Sequence, residues 1–199
     1  LGRMLSLAAS RLGYRCHVSE RGAAPAGDVA HAVTTAPYED EAALRAFAAA
    51  VDVITYEFEN VPTSALDLLE SLRPIRPNRR ALAVSQDRVS EKSFLNDLGL
   101  QTAPWAAVNS ESDLRAAVAR LGCPAILKTA RLGYDGKGQV KLTSEADIPA
   151  AWAAMQGAPS VLEGFITFDR EVSVIAARGI DGSVAAYDPC ENVHRDGSR

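Results

Sequence analysis

The chain has 199 residues, of which 47% are hydrophobic and 23% are charged, and its formal net charge is −4; this composition is typical of a globular protein with room for one large or two small domains. The negative charge argues against a nucleic-acid-binding surface, which is usually basic, and no run of 18 apolar residues predicts a membrane span. The three cysteines lie far apart and form no Cys-x-x-Cys motif, which indicates a reducing, cytosolic compartment in which they serve as small core residues: Cys16, Cys123 and Cys190.

The first hundred residues alternate helix-like and strand-like patterns. Helices are predicted over residues 1–12, 39–51 and 62–72, and strands over residues 16–18, 28–33 and 53–56. This alternation predicts a mostly parallel sheet with flanking helices. Because ligands bind beyond the carboxyl ends of parallel strands, the loop that follows the third strand is a candidate binding loop. Its carboxylates, Glu57 and Glu59, could also belong to an ordinary acidic surface loop.

A second unit follows a helical stretch over residues 81–98, which we expect to break near residues 85–87. Gly99 ends this stretch, and the segment Thr102-Ala-Pro104 marks the first domain boundary. Beyond it, helices are predicted to begin at Ser110 and Ser144, each in a capping-box-like pattern. Strands are predicted over residues 105–108, 124–128, 139–142 and 160–163. This order predicts a compact, lid-like α+β unit.

The last predicted element is a hairpin. Residues 171–177 alternate in polarity, the chain turns at Asp181-Gly182, and residues 183–187 form the return strand. A two-stranded hairpin is not stable alone. We therefore expect it to belong to a third unit whose remainder lies outside this sequence.

The strongest functional signal is the glycine-rich segment that follows Lys128. Gly133, Gly136 and Gly138 permit positive φ angles and close approach to a ligand, and the exposed amides of such a loop suit phosphate oxygens. Lys128 ends an apolar strand, where an unpaired charge is costly, so we expect it to have an anionic partner. Lys137 adds a second charge. The segment is not a P-loop, because a strand follows it rather than a helix; the competing interpretation is a solvated hairpin turn.

Six motifs occur along the chain: Leu1-Gly-Arg-Met4, Tyr56-Glu-Phe-Glu-Asn-Val61, Gln86-Asp-Arg88, Gly133-Tyr-Asp-Gly-Lys-Gly-Gln139, Glu163-Gly-Phe165 and Glu191-Asn-Val-His-Arg-Asp196. Each motif alone is weak. Together they span the whole chain, and the combination resembles the family of N5-carboxyaminoimidazole ribonucleotide synthetases within the ATP-grasp superfamily.

The resemblance implies an α/β and α+β architecture of the ATP-grasp type. It comprises an N-terminal Rossmann-like parallel-sheet domain over residues 1–102, a small α+β lid subdomain over residues 103–166, and the start of a C-terminal α+β subdomain over residues 167–199. In this superfamily the glycine loop folds over the nucleotide phosphates. The family's first glycine-rich turn would precede Leu1 and its Mg²⁺ ligands would follow Arg199. We therefore expect a fragment, and no metal ligand can be named in it.

The resemblance also implies roles for individual residues. Arg88 and Lys128 would contact the ATP phosphates, under a lid formed by Gly133, Tyr134, Asp135, Gly136, Lys137, Gly138 and Gln139. The adenine would be held by the backbone of the hinge residues Glu163, Gly164, Phe165 and Ile166. The ribose would be bound by Glu171, and the nucleotide would receive a further contact from His194. The ribonucleotide substrate would face Glu57, Tyr134 and Asp135. Catalysis would involve Lys128, Tyr134, Asp135 and Lys137.

Without the resemblance, four of these residues also have purely structural interpretations. Arg88 could be a solvated helix charge and Glu163 a strand-end carboxylate. Glu171 could be the outward residue of an alternating strand, and His194 a polar turn residue.

The implied reaction consumes ATP, bicarbonate and 5-aminoimidazole ribonucleotide in purine biosynthesis and yields ADP, phosphate and the N5-carboxylated ribonucleotide. Bicarbonate would attack the γ-phosphoryl group to form carboxyphosphate, and the amine would capture the carboxyl group directly or as CO₂. The implied cofactors are ATP and Mg²⁺. The implied assembly is a cytoplasmic homodimer that binds small molecules and neither nucleic acid nor a membrane.

Three other interpretations remain open from the sequence. Another ATP-grasp ligase, such as a formate-dependent glycinamide ribonucleotide transformylase or a biotin-carboxylase-like enzyme, would share the nucleotide motifs. A nucleotide-binding regulatory module without turnover would also share them. A dinucleotide-binding oxidoreductase fits the N-terminal pattern, but its glycine loop would follow the first strand rather than lie near residue 133.

Overall fold

A computed structural model describes residues 1–133 and 138–193 of the chain. The chain divides into two compact units, Leu1–Leu100 and Gln101–Arg199. No helix in the described parts of the chain has the length and apolar character needed to cross a membrane.

The first unit contains a small parallel sheet and five helices. Its elements are α1 (Gly2–Arg11), β1 (His17–Glu20), β2 (Ala32–Thr35), α2 (Glu41–Ala49), α3 (Thr63–Glu70), α4 (Arg79–Ser85) and α5 (Arg88–Asp97). Strands β1 and β2 pair in parallel, with His17 opposite Ala32. The parallel arrangement predicted from the βα alternation is confirmed, and so is the break between α4 and α5.

Two strand predictions in this unit are wrong in part. The predicted strand over residues 53–56 contributes only a single parallel bridge, Ile54 to Ile75, and Val53 is largely exposed. The partner segment contains Pro74 and Pro77, which lack the N–H that a longer ladder requires. The predicted strand over residues 28–33 begins late, because residues 25–29 form turns and β2 starts at Ala32.

The core of the first unit lies between α2, α3 and α4. It is formed by Tyr38, Leu44, Phe47, Ala48, Ile54, Val61, Ala65, Leu66, Leu69, Ile75 and Leu82. The predicted helix at the start of the chain forms, but Leu5 and Leu12 on its apolar stripe are 47% and 76% exposed, and its one buried residue is Ser6. The apolar side of α1 therefore does not pack against the other described residues of the unit.

The second unit is built on a four-stranded sheet. Its first elements are β3 (Trp105–Val108), α6 (Glu111–Leu121), β4 (Ala125–Thr129), β5 (Gln139–Leu142), α7 (Ile148–Met155) and β6 (Ser160–Gly164). The strand order is β3–β6–β4–β5, and all neighbours are antiparallel. Helices α6 and α7 pack on one face, where the core contains Val108, Leu114, Ala117, Val118, Ala125, Leu127, Leu142, Ile148, Ala151, Met155 and Leu162. The strands and helices predicted for this unit are confirmed.

Between the four-stranded sheet and Val193, the structure describes four short strands: β7 (Glu171–Ser173), β8 (Ala176–Arg178), β9 (Val184–Ala186) and β10 (Cys190–Asn192). Strands β8 and β9 form the predicted hairpin around Asp181-Gly182. The prediction of one strand over residues 171–177 is wrong, because β7 pairs with β10 instead. The alternating pattern did not show this change of partner.

The prediction that the cysteines are core residues is wrong for two of the three. All three are free thiols; Cys16 is half-buried, whereas Cys123 and Cys190 are exposed. Cys123 lies between Gly122 and Pro124 in the connection before β4. Cys190 lies on the two-stranded sheet of β7 and β10, and the described residues around this sheet do not bury its side chain.

Asp147 organises the turn before α7, and its charge is expected to stabilise the second unit. Its Oδ2 atom accepts hydrogen bonds from the Thr143 amide (2.7 Å), the Thr143 hydroxyl (2.8 Å) and the Ser144 amide (3.0 Å). These bonds, chiefly the one from the Thr143 backbone, lower the pKa of Asp147 below its ordinary value. The carboxylate therefore stabilises the fold above the unfolded-state pKa and loses this effect as the pH falls through the lower folded-state pKa.

We expect Asp147→Asn to lower the melting temperature at pH 7. The difference from the parent should shrink once the pH falls below about 3.9, the ordinary pKa of aspartate. Thermal unfolding of both proteins between pH 2 and pH 7 measures this, and a difference independent of pH would contradict the charge-based explanation.

Candidate functional site

The four-stranded sheet has a second face that points away from α6 and α7, because side chains alternate along each strand. This face, which we call the Lys128 face, carries Trp105, Ile126, Lys128, Lys141 and Glu163. The register places Ile126 opposite both Lys141 on β5 and Glu163 on β6, and Glu163 opposite Trp105 on β3. Three charged side chains from three strands therefore share one face of a rigid sheet.

Lys128 and Glu163 form an ion pair on this face. The distance from Lys128 Nζ to Glu163 Oε2 is 2.7 Å, and the side chains are 26% and 11% exposed. Lys128 lies opposite Val161, so the two partners occupy a diagonal cross-strand position two residues apart. The anionic partner expected for Lys128 is present within the chain. The pair holds the ammonium group at one place on the Lys128 face.

The connection between β4 and β5 contains the glycine-rich segment. The Thr129 amide donates to the Gly138 carbonyl at 2.9 Å, which extends the hairpin by one pair beyond Lys128 and Gln139. Two described residues of the connection have positive φ angles, Leu132 at 63° and Gly138 at 70°. Residues 134–137 lie outside the described parts of the chain, so the roles predicted for Tyr134, Asp135, Gly136 and Lys137 stay predictions.

Gly138 is required at its position for two reasons. Its φ of +70° is unfavourable for other residues, and a Cβ atom there would lie 2.9 Å from the Thr129 Oγ1 atom. We expect Gly138→Ala to lower the free energy of unfolding by about 1–3 kcal/mol and to raise KM for ATP.

The matched control for this variant is Gly157→Ala. Gly157 has a φ of +75°, but nothing lies within 4 Å of the added Cβ. Urea unfolding of both variants separates the two effects. Equal losses of stability would show that the contact with Thr129 contributes nothing.

The segment after β6 is fixed to two other parts of the unit. The Gly164 amide donates to the Pro104 carbonyl at 2.8 Å, and the Phe165 amide donates to the Pro124 carbonyl at 3.1 Å. The Lys141 ammonium lies 4.2 Å from the centre of the Phe165 ring, a cation–π contact. This segment, for which we predict an adenine contact, is therefore anchored beside the Lys128 face.

Glu171 has a partner that sequence reasoning missed. Strand β7 places Glu171 opposite Asn192 on β10, and the Asn192 amide donates to Glu171 Oε1 at 3.0 Å. The signal was present, since Asn192 belongs to the motif Glu191-Asn-Val-His that drew attention to His194. His194 itself lies outside the described residues, so its role stays a prediction.

In the first unit, the acidic loop and Arg88 occupy defined positions. Glu57 Oε1 accepts a hydrogen bond from the Gly2 amide at 3.0 Å. Arg88 is the first residue of α5, directly after the N-cap Asp87. One residue that was not predicted is Tyr38, which lies in the connection between β2 and α2 and whose hydroxyl donates to Glu20 Oε1 at 3.4 Å. Burial raises the pKa of Tyr38, and the neighbouring Glu20 carboxylate raises it further, so the hydroxyl stays protonated at neutral pH.

Among residues 1–133 and 138–193, no group of three or more histidine, cysteine, aspartate or glutamate side chains is arranged to hold a metal ion.

Comparison with known families shows which family the chain belongs to. The family profile described as "ATP-grasp domain" matches residues 93–199, more than half of the chain, and the profile described as "Ribonucleotide synthetase preATP-grasp domain" matches residues 1–86. The chain belongs to the ATP-grasp family. The predicted ATP-grasp fold with a preceding parallel-sheet domain is confirmed.

Individual relatives of this ATP-grasp chain share a more specific name. It is 54% identical over 200 residues to the N5-carboxyaminoimidazole ribonucleotide synthase of Brucella melitensis, covering 99% of this chain and 55% of that protein. It is 42% identical to the enzyme of the same name from Pseudomonas aeruginosa, with the same coverage. The predicted resemblance to these enzymes is confirmed. The chain spans about half the length of the curated relatives it matches.

Solved structures show that the fold of this ATP-grasp chain is also similar to that of known enzymes. The ADP complex of N5-carboxyaminoimidazole synthetase from Staphylococcus aureus matches with a TM-score of 0.94 at 35% identity, covering 99% of this chain and 53% of that one. The Aspergillus clavatus enzyme in complex with ADP and 5-aminoimidazole ribonucleotide matches with a TM-score of 0.85 at 28% identity, covering 98% and 52%.

Proposed function

We propose that this chain forms the nucleotide-binding part of an ATP- and bicarbonate-dependent ligase. The enzyme carboxylates 5-aminoimidazole ribonucleotide to N5-carboxyaminoimidazole ribonucleotide in purine biosynthesis. The observation that carries the proposal is the Lys128–Glu163 pair, which presents an oriented ammonium group beside a glycine-containing hairpin in an ATP-grasp domain. Similarity over almost the whole chain to synthases of this name supports the choice of substrate.

ATP would lie over the Lys128 face. Lys128 would contact the phosphates, and the segment from Gly133 to Gln139 would close over them. The amides of Gly164 and Phe165 already donate to backbone carbonyls. The adenine would therefore be bound by the Ile166 amide and by the backbone carbonyl groups of residues 163–166. Glu171, oriented by Asn192, would accept hydrogen bonds from the ribose hydroxyls.

The chemistry asks mainly for alignment and for stabilisation of shifting charge. Phosphoryl transfer from ATP to bicarbonate needs little covalent help from the protein. An ammonium group held in place before the reaction stabilises the developing charge without reorganisation, and Glu163 supplies this orientation for Lys128. Carboxyphosphate hydrolyses readily, so the hairpin would have to exclude water when it closes.

Several parts of the proposal rest on the family resemblance alone. These are the phosphate contacts of Arg88 and Lys137, the ribonucleotide contacts of Glu57, Tyr134 and Asp135, and the nucleotide contact of His194. The division into domains over residues 1–102, 103–166 and 167–199, the homodimer and the cytoplasmic location are also proposals. Mg²⁺ would accompany ATP and neutralise part of the charge on its phosphates.

The test is an ADP-release assay on the full-length protein with ATP and bicarbonate. We expect release to depend on 5-aminoimidazole ribonucleotide and not on glycinamide ribonucleotide or biotin. Dependence on one of the other acceptors would assign a different ATP-grasp ligase. ATP binding without acceptor-stimulated release would indicate a regulatory module and contradict the proposal.

A further inference from the structure

The acidic loop over residues 57–60 is held at both ends by side-chain bonds to one helix. Before the loop, the Tyr56 hydroxyl donates to the carbonyl of Asn78, the N-cap of α4, at 3.2 Å. After the loop, the Gln86 side-chain amide donates to the Val61 carbonyl at 2.6 Å. Gln86 is the C-cap of α4. The two residues that flank the loop are therefore bonded to the two residues that flank α4.

The bond from Gln86 is the stronger of the two attachments. Gln86 is 5% exposed and Val61 is 8% exposed, so the bond lies away from water, where loss of the donor would leave a buried carbonyl poorly satisfied. The Tyr56 bond is longer and exposed. The pKa of Tyr56 is raised above its ordinary value, because the effect of burial exceeds the opposing effect of a backbone hydrogen bond from Leu82. Its hydroxyl therefore remains a donor at neutral pH.

Gln86 is also connected to Arg88 by a short and rigid path. The next residue, Asp87, accepts hydrogen bonds from the amides of Val89 (3.0 Å) and Ser90 (2.9 Å), which fixes the first turn of α5 and the backbone of Arg88 within it. A displacement of Val61 would therefore move Arg88 as well, because only Gln86 and Asp87 separate the two contacts and their backbone is fixed.

Helices α4 and α5 are joined a second time. The Arg80 guanidinium on α4 lies 5.6 Å from the centre of the Phe94 ring on α5. In addition, Arg79 on α4 pairs with Asp67 on α3 at 2.7 Å. Helix α4 thus connects the acidic loop to α5.

We propose that Gln86 is a positioning residue that fixes the acidic loop relative to Arg88. Occupation of the loop by the amine substrate then alters the position of Arg88. This inference rests on the proposed function, because that function assigns Glu57 to the ribonucleotide and Arg88 to ATP.

The first test is Gln86→Met in the full-length protein, which keeps the side-chain length and removes the donor. We expect KM for 5-aminoimidazole ribonucleotide to rise about tenfold, equivalent to ~1.4 kcal/mol. Kd for ADP in the absence of the ribonucleotide should stay within about twofold of the parent value. The matched control is Ser85→Ala, which removes a hydroxyl bonded to the Leu82 carbonyl within α4 and should change neither constant.

The second readout is amide hydrogen exchange, which detects the coupling without turnover. In Gln86→Met we expect exchange to rise both in residues 57–61 and in residues 88–91. Tyr56→Phe, which breaks the exposed attachment, should give a smaller change in the same two segments, and it replaces Gln86→Met in all measurements if that variant does not fold.

Three outcomes would overturn the inference: an unchanged KM for the ribonucleotide, an equal loss of affinity for both substrates, or faster exchange in residues 57–61 alone. A parent protein that releases no ADP with the ribonucleotide would reject the proposed function instead. In that case the exchange of residues 88–91 still decides whether Gln86 couples the two segments.

Discussion

Replacing Lys128 by alanine is expected to remove about 2–4 kcal/mol of transition-state stabilisation, which lowers kcat/KM for ATP on the order of 30- to 1000-fold. The reason is that Lys128 provides an ammonium group whose place is fixed by Glu163 at 2.7 Å before any phosphate arrives. Steady-state kinetics of the full-length protein measure the loss. Parent values of kcat/KM in a folded Lys128→Ala protein would refute the assignment.

The same substitution has a second consequence, which must be separated from the first. Glu163 is 11% exposed at its side chain, so removal of the ammonium group leaves a largely buried carboxylate without that counter-charge. Breaking a fully buried pair costs about 3–5 kcal/mol; we expect about 1–3 kcal/mol here, since water reaches Lys128. Part of any activity loss in Lys128→Ala could then be loss of folded protein.

A paired substitution resolves the two effects. In Lys128→Met with Glu163→Gln, both side chains keep their approximate size and neither is charged. We expect stability to return close to the parent value while kcat/KM for ATP stays low. Arg115→Ala, which breaks an exposed ion pair with Glu111 on α6, is the control and should alter neither quantity measurably.

Replacing Leu162 by alanine is expected to cause the largest loss of stability, about 2–5 kcal/mol. Leu162 is fully buried and lies on β6, between β3 and β4 in the sheet. It precedes Glu163 directly and points to the opposite face, so it holds the strand that presents Glu163. A cavity at this position would loosen that strand as well as the core.

Urea unfolding combined with hydrogen exchange in β4 and β6 measures this effect. Leu132→Ala provides the matched control in the same unit, because Leu132 is 71% exposed and its truncation should change stability by less than about 0.5 kcal/mol. Similar unfolding midpoints for the two variants would show that the core does not depend on β6 as described.

The sequence predicted those features that depend on neighbouring residues. The strand expected over residues 105–108 and the apolar run before Lys128 correctly predicted β3 and β4. The polar residues at 85–87 correctly predicted the break between α4 and α5. The glycine-rich segment was correctly placed between two strands that pair as a hairpin.

Features that depend on distant partners were not predictable in the same way. The need for an anionic partner of Lys128 followed from the apolar strand, but its identity depends on β6 lying beside β4, and Glu163 is 35 residues away. The strand at residues 53–56 failed because its partner contains prolines at positions 74 and 77. The bond from Gln86 to Val61 spans 25 residues and left no local pattern.

The most direct measurement of the central claim is a structure of the full-length protein with a non-hydrolysable ATP analogue. We expect the polyphosphate to lie within hydrogen-bonding distance of Lys128 Nζ and of amides in the segment from Gly133 to Gln139. A polyphosphate bound elsewhere, with Lys128 still paired only to Glu163, would contradict the account.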